Sequence, residues 1–176
     1  MALRVLRVKG DRTREGRSCR RKSPDVEKAT RQRLVGGGVC RLDANCKLTV
    51  VLGSVDLSGT NTTFAQIAAE TFNLDADGVT VTTAPTDAAP FAGGTGGSKI
   101  TYTVGKAVQR AAEDALRQIL AVASDALEAS PEDLEMVDGA VRVKGVPGTQ
   151  ISLKDIASQT MGVTAKNAPI YGTGST

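Results

Sequence analysis

The chain contains no histidine and no tryptophan, and only three phenylalanines, two tyrosines and three cysteines among its 176 residues. Without histidine, Ser–His–Asp and Cys–His catalysis are excluded, and the side chain that most often binds transition metals is missing. An odd number of cysteines without CxxC spacing predicts neither a disulfide framework nor a cysteine-bound zinc or iron–sulfur centre. Any metal that this chain uses must therefore arrive inside a cofactor or be held by oxygen ligands.

Long apolar runs are missing as well. No stretch approaches the roughly 18 to 20 apolar residues that a membrane span requires. Arginine and lysine recur through residues 1–35, where a secretory signal would need an apolar segment. We therefore predict a cytoplasmic protein without a membrane partner.

The net charge of +3 is divided unevenly along the chain. Residues 1–35 carry twelve Lys/Arg and four Asp/Glu, a net +8, whereas residues 36–176 carry ten and fifteen, a net −5. We predict that 1–35 is a basic segment that is either disordered or not native to the domain. Nucleic acid is the weaker choice of partner, because this segment has no aromatic side chain on which bases could stack.

From residue 36 the pattern becomes that of a folded domain. Residues 39–42 and 47–52 predict a β-hairpin, and residues 79–82 predict a further short strand. A second hairpin is predicted on either side of Asp138-Gly139, a turn pair that favours positive φ.

Helical periodicity appears in three places. Residues 61–72 predict an amphipathic helix with Asn61 or Thr62 as its N-cap, and residues 102–129 predict a long alanine-rich helix. A short helix is predicted over 153–159. The fold class is therefore α+β, with short strands in a mixed sheet packed against one long helix and two shorter helices.

Two glycine-rich segments, residues 53–63 and 93–98, each lead into a predicted helix. Glycine lets a ligand approach the backbone closely, and the N–H groups of a helix N-terminus attract anions. The spacing matches neither a P-loop nor a dinucleotide-binding fingerprint. On composition alone, the glycines could also be structural turn residues that bind no ligand.

A family resemblance bears on that choice. Residues 50–70, VVLGSVDLSGTNTTFAQIAAE, resemble the stretch around the GQG motif of xanthine dehydrogenase/aldehyde oxidase-type molybdenum hydroxylase large subunits. Residues 86–112, with TDAAP, GGS and GKAV, resemble the next block, and residues 130–139 resemble the hairpin region that follows. The resemblance covers about residues 39–175, in the same order and at similar separations.

The resemblance implies a molybdopterin-binding region of enzymes that hydroxylate carbon centres with water as the oxygen source. Its partners would be the rest of the large subunit and the FAD and iron–sulfur domains or subunits. In this family, a GQG-type loop and the loop before the long helix approach the cofactor. Carried over by position, the cofactor-binding residues are Leu57, Ser58, Gly59 and Thr60 in the first loop and Gly96, Gly97 and Ser98 in the second.

This chain also departs from the family pattern. Where the family has Asp-Leu-Gly-Gln-Gly, residues 56–59 read Asp-Leu-Ser-Gly, one residue shorter and without the glutamine. The upstream Gly-Gly-Phe-Gly loop and the downstream catalytic glutamate have no counterpart, so no catalytic residue is assigned. We predict a fragment, inactive alone, of a molybdenum-dependent hydroxylase. The alternative is a non-catalytic binding or interaction module with a basic N-terminal arm.

For one aspartate and two cysteines, we expect a structural role rather than a role in ligand binding or redox chemistry. Asp56 is expected to hold its loop through an Asx-type hydrogen bond rather than to bind a ligand. Cys40 and Cys46 flank a predicted turn and are expected to be ordinary strand positions rather than a redox pair.

Overall fold

The computed structural model describes residues 36–85, 87–161 and 165–176, so the expectations for residues 1–35 fall outside it. Seven strands, three helices and two single 3-10 turns (Ala76–Gly78 and Pro131–Asp133) make up the described fold. The α+β prediction is confirmed. In chain order, the strands and helices are β1 Gly37–Leu42, β2 Leu48–Leu52, α1 Thr60–Phe72, β3 Val79–Thr83, α2 Ile100–Leu127, β4 Leu134–Val137, β5 Ala140–Val143, β6 Gln150–Ser152, α3 Leu153–Thr160 and β7 Tyr171–Ser175.

The larger sheet has the strand order β3-β2-β1-β7. β1 and β2 pair antiparallel in the predicted hairpin, with Cys40 opposite Val50. β2 and β3 pair parallel, with Leu52 opposite Thr83, and α1 is the crossover between them. The sheet is therefore mixed, as the sequence predicts.

The smaller sheet is an antiparallel meander of order β4-β5-β6. Its first turn places Asp138 at φ 50° and Gly139 at φ 74°. Positive φ at both central residues matches the right-handed twist of the flanking strands, which confirms the predicted hairpin.

The long helix α2 organises the core. Its apolar side packs on α1, β1 and β7, and its alanines keep the contacts close. Among the described residues, no helix combines the length and the apolar character that crossing a membrane requires. The larger side chains that the core buries completely include Leu42, Leu48, Leu52, Phe64, Phe72, Ile119 and Ile156.

Strand β7 is an element that the sequence did not predict. It pairs antiparallel with β1, and its alternate residues Gly172 and Gly174 face α2. A Cβ on Gly174 would lie 2.0 Å from the carbonyl oxygen of Ala107, and one on Gly172 would lie 2.2 Å from that of Ala111. Only glycine fits at these two positions, because the helix backbone occupies the space that a side chain would need.

The helix starts differ in how they are capped. Ser152 caps α3, and its hydroxyl oxygen accepts from the backbone N–H of Asp155 at 3.2 Å. The prediction of Asn61 or Thr62 as the N-cap of α1 is wrong. The N-cap is Gly59, whose left-handed conformation lets the chain turn sharply into the helix.

Candidate functional site

The two glycine-rich loops leave the sheet side by side. One follows β2 at Leu52 and the other follows β3 at Thr83, and these two residues are partners in the parallel ladder. Each loop then leads into a helix, α1 or α2. Because the carboxyl ends of parallel strands meet at one edge of a sheet, the topology itself brings the loops together.

Between the loops lies an open cleft of about 330 Å³. Five of the seven predicted site residues line it, whereas Gly59 and Gly97 do not. The other lining residues, which the sequence did not single out, sit beside the Gly-Gly-Ser segment at the start of α2. The lining consists of Leu57, Ser58, Thr60, Thr95, Gly96, Ser98, Lys99, Ile100 and Thr101.

Each loop ends in two consecutive residues with positive φ. Ser58 and Gly59 have φ 57° and 78°, and Gly97 and Ser98 have φ 63° and 54°. Left-handed backbone costs a non-glycine residue about 1–2 kcal/mol, so both serines hold strained positions. A Cβ on Gly59 or Gly97 would meet no atom within 4 Å, so φ rather than crowding favours glycine there.

Asp56 holds the first loop, but through bonds to residues four and five positions on rather than through the expected Asx-type bond. Its Oδ1 accepts from the Thr60 hydroxyl at 3.1 Å and from the backbone N–H of Asn61 at 3.2 Å. The Thr60 hydroxyl oxygen in turn accepts from the N–H of Leu57 at 3.3 Å. A carboxylate thus already occupies the anion-binding position at the N-terminus of α1.

The N-terminus of α2 has no such occupant. Its N-cap is Lys99, which forms no side-chain cap, and its first turn contains no acidic residue. Thr103 donates from both its N–H and its hydroxyl to the carbonyl of Lys99, at 2.8 and 3.0 Å. The first N–H groups of α2 and the ammonium of Lys99 therefore make this end of the cleft electropositive.

The loops are also packed against each other. A Cβ on Gly53 would lie 2.4 Å from the carbonyl oxygen of Pro90, so the loop after β2 touches the loop after β3. Thr83 donates its hydroxyl to the carbonyl of Ser54 at 3.1 Å. Ser54 is 3% exposed, and neither its Oγ nor the buried Oδ1 of Asn61 has a partner among the described residues. Packed together, the two loops form one wall of the cleft.

The chemistry of this wall is binding rather than proton transfer. It offers hydroxyls, backbone N–H groups and one ammonium, which suit a phosphorylated or pterin-like ligand. In the described part of the chain, no group of three or more Cys, Asp or Glu could hold a metal ion. The donor set therefore fits the organic and anionic parts of a cofactor, and it provides no metal ligands of its own.

The two described cysteines do not belong to this site. Cys40 is buried in β1, where burial raises the pKa of its thiol to about 12. Cys46 lies in the turn between β1 and β2 and is partly exposed. Both are free. The expectation of an ordinary strand position is confirmed for Cys40 but wrong for Cys46, which lies outside both strands with φ 64°.

Comparison with known proteins gives a family match over most of the chain. The model of the molybdopterin cofactor-binding domain matches residues 18–175. The large subunit of nicotine 6-hydroxylase from Paenarthrobacter nicotinovorans is 30% identical over 66% of this chain and 14% of its own length. Subunit gamma of the 6-hydroxypseudooxynicotine dehydrogenase complex of the same organism is 33% identical over 68% of this chain and 15% of its own length.

Solved structures agree with the sequence match. CO dehydrogenase from Oligotropha carboxidovorans superposes with a TM-score of 0.70 and 26% identity, covering 81% of this chain and 18% of that chain. The chain therefore spans about one seventh of the length of the two curated relatives and about one fifth of that solved chain. The alternative of a non-catalytic interaction module gains no support from these matches.

Proposed function

The chain belongs to the molybdopterin cofactor-binding domain family, and we propose that it contributes two loops to the cofactor site of a larger xanthine dehydrogenase/aldehyde oxidase-type molybdenum hydroxylase. When bound, that cofactor supplies the metal centre at which a substrate carbon is hydroxylated with oxygen from water. The proposed partners are the rest of the large subunit and the FAD and iron–sulfur units, in the cytoplasm. The proposed domain begins near residue 36, within a family match that starts at residue 18.

One observation carries this proposal: two loops far apart in sequence open on the same cleft. Leu57, Ser58, Thr60, Gly96 and Ser98 would contact the cofactor directly. Gly59 and Gly97 do not line the cleft and would instead hold the bends through their positive φ.

The N-termini of α1 and α2 differ in whether they can bind an anionic group of the ligand. Because Asp56 already fills the N-terminus of α1, a ligand phosphate there would meet a carboxylate. At the start of α2, free N–H groups, the Ser98 hydroxyl and Lys99 favour negative charge. We therefore place the phosphate of the molybdopterin at the start of α2 and its neutral pterin edge against residues 57–60.

The described site is one wall of an enclosure. Leu57, which lines the cleft, is 50% exposed. An exposed large apolar side chain in a polar cleft is consistent with a surface that another part of the protein covers. The chain alone is expected to bind the cofactor weakly and to show no hydroxylase activity, because no general base lines the cleft.

Nuclear magnetic resonance titration would test the site directly. The ¹⁵N-labelled full chain is titrated anaerobically with molybdopterin released from a molybdenum hydroxylase. We expect amide shifts at Ser58, Thr60, Gly96 and Ser98, and saturation at high ligand concentration only. Inorganic phosphate should reproduce the shifts at Gly96 and Ser98 but not those at Ser58 and Thr60.

A charge variant provides the matched comparison. Lys99→Gln should weaken the shifts caused by phosphate at least about threefold, since a nearby ammonium contributes through charge. Lys106→Gln removes the same charge two turns along α2, away from the cleft, and should change little. Shifts confined to one loop, or equal effects of the two variants, would contradict the proposed site.

A further inference from the structure

Among the described strands, β7 lies at an edge of the larger sheet, where backbone N–H and C=O groups commonly stay unpaired and can accept a strand from another molecule. The outer edge of β7 is instead hydrogen-bonded to side chains of α2. Tyr171 donates its N–H to Oε1 of Gln118 and accepts from Nε2 of the same side chain, both at 3.0 Å. Thr173 donates its N–H to Oδ2 of Asp114 at 2.9 Å. Each bond satisfies a backbone group that would otherwise face outward.

A third helical side chain completes the set. The guanidinium of Arg110 donates to the carbonyl oxygen of Ser175, the last residue of β7. The other carboxylate oxygen of Asp114 accepts from Arg117 at 2.6 Å, which fixes that side chain in place. Each of the three outward-facing residues of β7 is thus bonded to α2, through four of their six backbone N–H and C=O groups.

The geometry of the two elements explains this match. Side chains four residues apart on a helix are separated by about 6 Å along its axis. Outward groups two residues apart on a strand are separated by about 6.6–6.8 Å. Arg110, Asp114 and Gln118 therefore stay in step with the strand over three contacts. The glycines of β7 let the helix lie close enough for these side chains to reach the edge.

We propose that Arg110, Asp114 and Gln118 form a side-chain ladder that takes the place of a neighbouring strand and closes the β7 edge to strand addition by a second copy of the chain. The sequence of β7, YGTGS, is uncharged, so the strand itself carries no charge to repel another edge. The helix side chains of the ladder instead protect the β7 edge against pairing with another strand. The sheet can then be extended only at edges other than β7.

Amide hydrogen exchange in the full 176-residue chain would test the ladder. In the Asp114→Ala/Gln118→Ala double variant, the amides of Tyr171 and Thr173 should exchange at least about tenfold faster, because each loses its acceptor. The amides of Gly172 and Gly174, which face β1, should stay protected. Sedimentation velocity should show more self-association than in the wild type.

The same helix offers a matched control. Gln109→Ala/Glu113→Ala also removes an amide and a carboxylate, which bond each other at 2.9 Å and are not among the β7 contacts. Unchanged exchange at Tyr171 and Thr173 in the ladder variant, or an equal increase in this control, would overturn the proposal.

A second pair of variants decides the case if the double variant does not fold. Asp114→Asn keeps an oxygen acceptor for the Thr173 amide, whereas Asp114→Leu has a similar volume and none. We expect fast exchange at Thr173 in the leucine variant alone. Equal exchange in the two would refute the ladder.

Discussion

Replacing Gly174 by alanine tests the close contact between β7 and α2. The added Cβ would lie 2.0 Å from the carbonyl oxygen of Ala107 and 2.5 Å from the backbone nitrogen of Ala111. The strand and the helix would have to separate by about 1 Å to restore a 3.0 Å contact. Since both obstructing atoms are backbone, no side chain can rotate away. We expect a loss near the upper end of the overpacking range, about 3 kcal/mol.

Urea denaturation followed by circular dichroism measures this loss. With a slope of about 2 kcal/mol per molar urea, the midpoint should fall by about 1.5 M. The matched control is Gly94→Ala, because a Cβ there would meet no atom within 4 Å and its φ is not left-handed. The control should change stability by less than about 0.5 kcal/mol. A Gly174→Ala midpoint equal to that of the wild type would refute the packing argument.

Three further predictions concern individual side chains. Asp56→Ala should cost about 1 kcal/mol in urea denaturation, because the N-terminus of α1 loses its acceptor. Asp56→Asn retains an oxygen and should cost less, so equal losses would count against this role. Since burial raises the pKa of Cys40 from 9.0 to about 12, the fold favours the neutral thiol. The stability this provides is complete below pH 9 and is lost as the pH rises from 9 towards 12. The wild type should therefore lose free energy of unfolding above pH 9 faster than Cys40→Ala, and parallel curves would disprove the assignment. In a Cys19→Ser background at pH 8, a thiol reagent should label Cys46 rapidly and Cys40 only on unfolding. Equal labelling rates would show that Cys40 is accessible.

The helices and the two hairpins could be predicted because their patterns are local. The spacing of Phe64, Ala68 and Phe72 identifies one face of α1, and all three are buried. The long helix begins at Ile100 rather than at Tyr102, because the turn at Gly97 and Ser98 already ends the loop. Local patterns fix the type of an element better than its first residue.

Strand β7 could not be predicted, because its determinants are not local. Its composition of Gly, Thr, Ser and Tyr is typical of a loop, and glycine is disfavoured in strands. The strand exists because β1 offers hydrogen bonds and α2 requires glycine at two positions. Neither requirement is visible until the distant elements are in place.

In the candidate site, too, some features follow from the sequence and others depend on how distant elements are arranged. The resemblance selected seven residues, and five of them line the cleft. Lys99 is not among the predicted site residues, yet it lines the cleft at the start of α2. The predicted N-cap of α1 lies two or three residues too far along the chain, because Asp56 bonds the helix start from outside the helix. Sequence patterns do not show which of two helix starts is already occupied.

The parallel pairing of β2 with β3 fixes the distance between the starts of the two loops that line the cleft. Adjacent strands lie about 4.8 Å apart, and both loops depart from this fixed baseline. Substitutions in the loops can change which groups are presented to a ligand without changing where the two loops begin. Redesign of ligand preference should therefore leave Val50, Leu52 and Val81 intact and vary only the bends that follow the strands.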